Sequence, residues 1–359
     1  MKVLFDHQIF AFQKYGGASK YFCEIIKRFP KEIWMTSTLY SNNEYIESYN
    51  LFSSQKILPD FSFRGKERII SELGKNHSKI IFKQKNYDIF HQTFYDPYSL
   101  KYIGNKPMVM TFYDINFSTF NYNRRVINYQ KESFKRANKI ITISNNTKYD
   151  LIKNFYISDE KISVIYLGID NVDLSSLRQE RIIENKYILY VGEREKNKNW
   201  YNFINVFKKI KEIFPEIKLI CTGKMFSGKE IDFIKLNNLE RAIILFSATE
   251  EQMKRLYRDA ELFVYPSYYE GFGMPLLEAM VCNCPVVCSN TSCFPEIAGD
   301  AAYYFDPYSD NDMFDVISKV LNSQEIREKL RERGKKRAGC FSWDKCASEH
   351  IELYNNLLS

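Results

Sequence analysis

The stretch Tyr-Pro-Ser-Tyr-Tyr-Glu-Gly-Phe-Gly-Met-Pro-Leu-Leu-Glu-Ala-Met occupies residues 265–280 and combines three structural signals. An apolar, aromatic run ends at Tyr265, a glycine-containing loop follows, and a helical pattern begins near Met274. Pro275 suits the first turn of that helix, where a missing N–H costs no hydrogen bond. The stretch therefore predicts a strand, a loop and a helix, whose first backbone N–H groups could bind an anion.

The same alternation of short apolar runs and longer helical patterns extends along the whole chain. The predicted strands are Lys2–Phe5, Trp34–Thr38, Tyr87–His91, Met108–Phe112, Lys139–Ile143, Ile162–Ile165, Tyr187–Val191, Ile217–Thr222, Ile243–Phe246, Leu262–Tyr265, Pro285–Ser289 and Ala302–Phe305. The predicted helices between them include Ser19–Phe29, Tyr129–Ala137, Trp200–Phe214 and Glu250–Asp259. This order indicates an α/β protein with two parallel sheets, and ligands of such sheets bind at the carboxyl ends of the strands.

Length and composition narrow the class of protein. The chain has 359 residues, of which 45% are hydrophobic, so we expect two domains with packed cores. No apolar run approaches the roughly 20 residues of a membrane-spanning helix, and the early acid Asp6 argues against a signal peptide. The eight cysteines include no CxxC pair, which favours buried thiols in a reducing cytoplasm over zinc ligands or disulfides.

The charge balance favours an anionic partner. There are 51 basic and 44 acidic residues, a net charge of +7. We expect no nucleic-acid partner, because the acids dilute the cations and no recognition motif is present. Two basic segments lie in the first half, with cations at Arg64, Lys66, Arg68, Lys75, Lys79, Lys83 and Lys85, and at Arg124, Arg125, Lys131, Lys135, Arg136 and Lys139. They are either solvated helix faces or a contact with an anionic membrane surface or a lipid diphosphate.

Two carboxylates flank the predicted anion site. Glu270 lies in the loop and Glu278 lies about one turn into the helix. They would repel an anion, but they suit sugar hydroxyls, which carboxylates bind by charge-assisted hydrogen bonds. The alternative is a surface loop with a capping acid. The functional interpretation suggests an anion that carries polyols, such as a nucleotide sugar.

A second segment adds cations. Tyr-Val-Gly-Glu-Arg-Glu-Lys-Asn-Lys-Asn-Trp, residues 190–200, reads as a strand, a turn and a helix start that carries Arg194 and Lys198. Two cations after a strand could hold a diphosphate and stabilise the charge that grows as it leaves. The alternative is an ordinary solvated turn.

Together these segments resemble the family 4 glycosyltransferases, retaining enzymes with the GT-B fold. Residues 265–280 resemble the family's E-x7-E motif, and residues 190–200 resemble its V-G-x-R-x-x-x-K-N segment. Tyr15–Phe22 is similar to the glycine-rich loop that follows the family's first strand. The resemblance covers essentially the whole chain and is weakest in Tyr40–Lys85, where we expect acceptor specificity to lie.

The resemblance implies two Rossmann-like domains that face each other across a cleft. Residues 1–172, completed by a last helix at 342–359, would bind the acceptor, and residues 173–341 would bind the donor. The donor would be a nucleotide-diphosphate sugar, with no separate cofactor and no metal. Asp310-Asn311-Asp312 has the form of the metal motif of other glycosyltransferases, but a helix cap explains it better.

The resemblance also implies residue roles. Glu270 would contact the donor sugar, Glu278 the ribose, and Lys198 the diphosphate. Arg194 would supply the second cation, because Asn197 stands where many relatives carry arginine. The remaining donor-binding candidates are Gly16, Gly17, Gly192, Gly271, Phe272, Gly273 and Met274, with Ser247, Ala248 and Thr249 against the base.

Three candidates lie in the first half. Many family members carry a histidine at the position of Tyr113, close to the transferred sugar, so Tyr113 or Asp114 is expected to make that contact. His91 ends a predicted strand and either lines the site or is a hydrogen-bonded core residue.

The function that the resemblance implies is retaining transfer of a sugar to a glycan or a polyprenyl-diphosphate-linked acceptor. The setting would be bacterial surface polysaccharide synthesis, such as O-antigen or capsule, in the cytoplasm or at the inner face of the membrane. Mannose, glucose, galactose, rhamnose and N-acetylhexosamine remain open as the transferred sugar. The alternative is a nucleotide-sugar epimerase or a phosphorylase of the same architecture.

Overall fold

The chain divides into two domains, each built around its own parallel sheet. Its structure is a computed structural model that describes residues 1–58, 61, 63, 65–115, 124–194 and 196–359. The first domain comprises Met1–Gly168 and Ser342–Ser359, and the second comprises Ile169–Phe341. In the described part of the chain no helix is long and apolar enough to cross a bilayer.

Every strand expected from the sequence is present. The strands are β1 Val3–Phe5, β2 Trp34–Thr36, β3 Ile89–Gln92, β4 Met108–Phe112, β5 Lys139–Thr142, β6 Ile162–Val164, β7 Tyr187–Tyr190, β8 Lys218–Thr222, β9 Ile243–Phe246, β10 Leu262–Tyr265, β11 Val286–Ser289 and β12 Ala302–Phe305. Three inner strands of each sheet, β1, β3 and β4 in the first and β7, β10 and β11 in the second, are fully buried, as parallel strands are when helices cover both faces of a sheet.

Helices connect the strands. They are α1 Gln8–Phe12, α2 Gly17–Arg28, α3 Glu44–Ser48, α4 Lys66–Gln84, α5 Arg124–Arg136, α6 Asn145–Phe155, α7 Trp200–Ile213, α8 Gly228–Leu236, α9 Glu250–Asp259, α10 Met274–Val281, α11 Phe294–Ala298, α12 Asp310–Asn322, α13 Gln324–Ala338 and α14 Trp343–Leu358. Short 3-10 turns lie at Lys31–Ile33, Pro97–Lys101, Asp159–Lys161 and Lys196–Lys198.

Both sheets are parallel, and the direction of strand addition reverses once in each. The first sheet has the order β2-β1-β3-β4-β5-β6, so the reversal lies between β1 and β3. The second has the order β12-β11-β10-β7-β8-β9, so the reversal lies between β7 and β10. In open α/β sheets ligands bind outside the carboxyl ends of the strands at this point of reversal. The fold therefore predicts a ligand site at the loops that follow β7 and β10.

The last helix returns to the first domain. α14 packs against α2, and its start approaches the chain so closely that a Cβ on Gly168 would lie 2.1 Å from the Trp343 nitrogen. Tyr354, on α14, is fully buried and contacts the His91 ring. The first domain is therefore completed by the C-terminal segment, through apolar packing and buried polar contacts.

Candidate active site

The loops after β7 and β10 bring together a cation and an acid. The Lys198 Nζ lies 2.6 Å from Oε1 of Glu270. It also lies 3.5 Å from the hydroxyl of Tyr265, the last residue of β10. Both members of the ion pair are mostly buried, with side-chain exposures of 19% and 12%. The structure thus joins two of the candidate residues at the point of strand reversal.

Asn197 ties these two loops together. Its carbonyl oxygen accepts a hydrogen bond from the Tyr268 amide at 2.8 Å, and its side-chain Nδ2 donates to the Tyr269 carbonyl at 3.3 Å. Asn197 itself is buried. Asn197 therefore fixes the loop that carries Glu270 through a neutral amide.

Ser292, in the loop after β11, holds the backbone of Glu270 from the other side. Its hydroxyl donates to the Glu270 carbonyl at 2.6 Å and accepts from the Glu270 amide at 3.1 Å. Ser292 has a φ of +59°, a left-handed conformation that costs a non-glycine residue free energy. A strained residue that clamps a candidate acid indicates that the position of Glu270 is tightly defined.

Arg194 does not join the Lys198–Glu270 pair. Its Nε donates to Oε1 of Glu230 at 2.7 Å, and its Nη2 donates to the carbonyls of Lys224 and Met225. The guanidinium lies over the Phe226 ring, 4.7 Å from its centroid. A carboxylate and a loop therefore already hold most of the Arg194 donors, and its role as the second cation stays a prediction.

One donor of Arg194 remains. Among the described residues its Nη1 is buried and meets no hydrogen-bond partner, although the side chain is only 3% exposed. A buried donor without a partner is costly, so Nη1 is suited to a ligand oxygen. Arg194 stays a candidate for contact with an anion through this single atom.

Glu230 is fixed by the start of α8. Ser227 and Glu230 form a capping box, in which the Ser227 amide and hydroxyl both donate to Glu230 Oε2. Burial alone would raise the pKa of Glu230, but these hydrogen bonds and the Arg194 guanidinium outweigh it and lower the pKa. Glu230 is therefore a carboxylate that orients Arg194 and offsets its charge.

Glu278 lies on α10 and is oriented by a buried phenol. The Tyr257 hydroxyl, on α9, donates to Glu278 Oε2 at 3.1 Å. Burial raises the pKa of Tyr257, and the Glu278 carboxylate raises it further, so the phenol stays a donor. The Tyr257 hydroxyl thus orients the acid expected to bind the ribose.

Glycines shape the loops at this edge. Gly192, after β7, has a φ of +124°, and Gly223, after β8, has a φ of +113°. A Cβ on Gly223 would lie 2.8 Å from the Gly192 carbonyl oxygen, so the two loops touch, whereas a Cβ on Gly192 would meet open space. Gly273 caps α10 with a φ of +86° and lies between Gly271–Phe272 and Met274.

The side chains of some donor-binding candidates have structural roles. Phe272 is buried and packs edge-on against Phe341. Thr249 caps α9 through a capping box with Gln252, next to Ser247 and Ala248, which follow β9. Any contact that these residues make with a donor would fall to backbone atoms or, for Ser247, to an exposed hydroxyl.

Of the two interpretations of His91, its position in the core of the first domain favours the hydrogen-bonded core residue over a residue that lines the site. It is fully buried; its Nδ1 lies 2.6 Å from the Tyr354 hydroxyl and its Nε2 lies 3.0 Å from the Thr111 hydroxyl. Burial lowers the pKa of His91 well below its usual value, and the neighbouring His350 lowers it further. The Nδ1 contact holds α14 on the sheet and the Nε2 contact links β3 to β4, so both ring nitrogens are occupied within the core.

The other first-domain candidates are less enclosed. The Tyr113 hydroxyl donates to the Thr93 carbonyl at 3.1 Å, and Asp114 follows it, half-buried. Gln13 Oε1 accepts a hydrogen bond from the Ser19 amide in the first turn of α2. A Cβ on Gly16 would lie 2.3 Å from this oxygen, so a glycine at this position leaves space for the Gln13 side chain to cap the helix. Gly17 is exposed and faces open space.

The acidic and cysteine clusters have structural explanations. Asp312 Oδ2 accepts from the Asp306 amide, and Ser309 caps α12, as the capping interpretation of residues 310–312 predicts. Cys282, Cys284, Cys288 and Cys293 are buried free thiols, and burial raises the pKa of each. Within the described ranges no group of three or more metal-binding side chains is placed to hold an ion.

Sequence reasoning missed several residues at this site: Glu230, Tyr257, Tyr265 and Ser292. The spacing Ser-x-x-Glu at 227–230 is a recognisable capping box, so the position of Glu230 at a helix start was accessible from the sequence. The other three contacts depend on which strands are neighbours, and no local pattern encodes that.

Comparison with protein families supplies two matches that together span most of the chain. Residues 15–172 match the model described as Glycosyltransferase Family 4, and residues 176–337 match Glycosyl transferases group 1. The first match covers Gly16, Gly17, His91, Tyr113 and Asp114, and the second covers every candidate described above in the second domain.

Individual relatives agree with these models. The chain is 31% identical to the O-antigen chain mannosyltransferase B of Escherichia coli, over 76% of this chain and 75% of that protein. It is 28% identical to the N-acetylgalactosamine-N,N'-diacetylbacillosaminyl-diphospho-undecaprenol 4-alpha-N-acetylgalactosaminyltransferase of Campylobacter jejuni, over 61% of this chain and 60% of that protein. Among solved structures, Anabaena HepE in complex with UDP and glucose is similar in fold, with a TM-score of 0.80, 17% identity and coverage of 99% and 100%.

Proposed function

The chain belongs to the family 4 glycosyltransferases, with two Rossmann-like domains of the GT-B fold, and we propose that it transfers a sugar from a nucleotide-diphosphate donor with retention of configuration. The relatives are glycosyltransferases, so the epimerase or phosphorylase alternative is not favoured. We propose a mannosyl donor as the first to test, because the Escherichia coli relative is named a mannosyltransferase.

The observation that carries the donor assignment is the contact between Lys198 Nζ and Glu270 Oε1 at the strand reversal of the second domain. A diphosphate oxygen would share the ammonium of Lys198, while Glu270 would accept hydrogen bonds from sugar hydroxyls. Arg194 Nη1 would offer a further donor, and Glu278 would accept from the ribose. Loop amides from Gly271 to Met274 would complete the donor site in this proposal.

In the proposed reaction the bond between the sugar C1 and the diphosphate oxygen breaks while a bond from C1 to the acceptor oxygen forms on the same face. The acceptor hydroxyl proton passes to the leaving diphosphate. Lys198 would stabilise the charge that develops on that leaving group, which is the kind of effect that dominates many enzymatic accelerations. No metal takes part in this scheme.

The acceptor would be a glycan or a lipid-linked oligosaccharide bound by the first domain, with Tyr113 and Asp114 near the transferred sugar. Support comes from the Campylobacter jejuni relative, whose name specifies a diphospho-undecaprenol acceptor. Bacterial surface polysaccharide synthesis at the inner face of the membrane is the proposed setting. The donor assignment does not depend on it.

The test incubates the protein with GDP-mannose and with UDP-sugars, each with and without a polyprenyl-diphosphate-linked glycan. We expect a product with the anomeric configuration of the donor, by NMR, and a rate that EDTA leaves unchanged. Inverted product would contradict retention, and loss of rate in EDTA would contradict metal independence. Conversion of donor into another nucleotide sugar without acceptor would identify an epimerase instead.

A further inference from the structure

The helix α4 of the first domain is amphipathic in an unusual sense, because its exposed face carries aliphatic side chains. Ile69, Leu73 and Ile80 are 49%, 39% and 56% exposed. At about 100° per residue their Cα positions fall within about 40° of one another, so they form one stripe along the helix. A stripe of this kind on a helix that already has a buried face requires an explanation.

The buried face of α4 is partly small and polar. A Cβ on Gly74 would lie 2.3 Å from the His7 ring, and Ser78 Oγ lies 2.9 Å from His7 Nδ1. Ser37 Oγ contacts the same Ser78 hydroxyl at 2.7 Å. These close contacts fix the rotation of the helix, so Ile69, Leu73 and Ile80 face away from the domain core because of the fold itself.

Cations border the stripe on one side. Arg68, Lys79 and Lys83 lie about 40° to 100° around the helix from Ile69. One acid, Glu72, lies among them, and it forms an ion pair with Lys75 at 2.8 Å. Arg68 and Lys83 are exposed, and Lys79 is half-buried. Exposed apolar side chains beside lysine and arginine are the pattern of helices that lie in a membrane interface.

Several other cations of the two basic segments serve the fold instead. Lys66 is buried and donates to the carbonyls of Leu58 and Phe61, and Lys75 pairs with Asp96. Arg136, on α5, donates to the Gly104 and Lys106 carbonyls, and Lys139 donates to the Glu160 carbonyl. Arg64 lies outside the described residues. Arg124, Arg125, Lys131 and Lys135 of α5 are also exposed, but among the described residues α5 exposes no large hydrophobic side chain beside them, so the candidate surface is α4.

We propose that the stripe Ile69–Leu73–Ile80, with Arg68, Lys79 and Lys83, docks the first domain on an anionic phospholipid bilayer. A bilayer fits better than a protein partner, because one narrow stripe falls short of the roughly 800 Å² per side that stable protein interfaces bury. A lipid interface needs no matching shape: the aliphatic side chains enter the acyl boundary and the cations meet anionic headgroups. This inference rests on the proposed function in one respect: a lipid-linked acceptor would explain why the protein binds a membrane.

The experiment measures binding of the full chain to sedimented vesicles, with no donor present, so its outcome is separate from that of the transfer assay. We expect binding to phosphatidylcholine–phosphatidylglycerol vesicles and little binding to pure phosphatidylcholine. The triple variant Ile69→Ser, Leu73→Ser, Ile80→Ser should lose about tenfold or more in partition coefficient. The triple variant Arg68→Gln, Lys79→Gln, Lys83→Gln should lose about fivefold per charge, and its residual binding should depend less on salt.

The matched control is Ile213→Ser with Leu236→Ser, two exposed aliphatic residues of the second domain, which should bind as the wild type does. All the substituted side chains are at least partly exposed, so unchanged thermal unfolding is expected and checks the fold. The proposal would be overturned if the wild type did not bind vesicles that contain phosphatidylglycerol, or if the control variant lost as much vesicle binding as the stripe variant. The proposal would also be overturned if the wild type formed a dimer without lipid and only the stripe variant lost that dimer. That result would identify the stripe as an interface between copies of the chain.

Discussion

Replacing Lys198 with methionine removes the ammonium that contacts Glu270 but keeps a side chain of similar length. If this ammonium stabilises the departing diphosphate, its loss should lower kcat by about 10²–10³-fold, or about 3–4 kcal/mol. Folding should weaken as well, because Glu270, with a side chain only 12% exposed, loses its partner. The cost should fall between the roughly 1 kcal/mol of an exposed pair and the 3–5 kcal/mol of a broken buried pair.

The double variant Lys198→Met, Glu270→Gln separates the two effects. It leaves no uncompensated carboxylate, so we expect thermal stability to recover while transfer stays lost. Initial rates and thermal unfolding are measured for both variants and for Lys198→Arg, with Lys208→Met as an exposed-lysine control. The role assigned to Lys198 would be refuted if Lys198→Met kept kcat within about threefold of the wild-type value, or if the double variant regained transfer.

Three further predictions follow from contacts around the site and the core. Ser292→Ala and Ser292→Gly both remove the hydroxyl that holds the Glu270 backbone, so both should lower kcat/KM to a similar extent. The glycine variant should unfold at a temperature no lower than the wild type, because glycine relieves the strain of the positive φ. A fully active alanine variant would contradict this role of Ser292. Tyr257→Phe should raise the donor KM about 2- to 10-fold with kcat nearly unchanged, since it frees Glu278 from one hydrogen bond; an unchanged KM would argue against ribose binding there. Burial lowers the pKa of His350 from 6.5 to about 4, so its neutral form contributes stability that is full above pH 6.5 and is lost as pH falls towards 4. Between these pH values the urea concentration at the unfolding midpoint should fall less in His350→Gln than in the wild type. An equal fall in both proteins would contradict the assignment.

Local sequence pattern was sufficient for the sheets and for much of the site. Met108–Phe112, Ile243–Phe246 and Glu250–Asp259 have the predicted bounds, because apolar runs and capping residues mark where such elements begin and end. The proximity of Lys198 and Glu270 also follows from pattern, since each lies between a strand of the same parallel sheet and the helix that follows it.

The contacts that the sequence left open depend on distant parts of the chain. His91 was ambiguous because its partner Tyr354 is 263 residues away, on a helix that returns to the first domain. Arg194 meets Glu230 only because β7 and β8 are neighbours. The outward aliphatic stripe that includes Ile69 depends on the contacts of Gly74 and Ser78 with His7, which no helical periodicity reveals.

The central claim is that the second domain binds the diphosphate of its donor at the Lys198–Glu270 pair. Calorimetric titration of UDP and GDP into the wild type, Lys198→Met and the control Lys208→Met tests it without an acceptor or an assigned sugar. We expect one of the two nucleotides to bind, with affinity reduced about tenfold or more in Lys198→Met and unchanged in the control. Equal affinity for the wild type and Lys198→Met would contradict the claim.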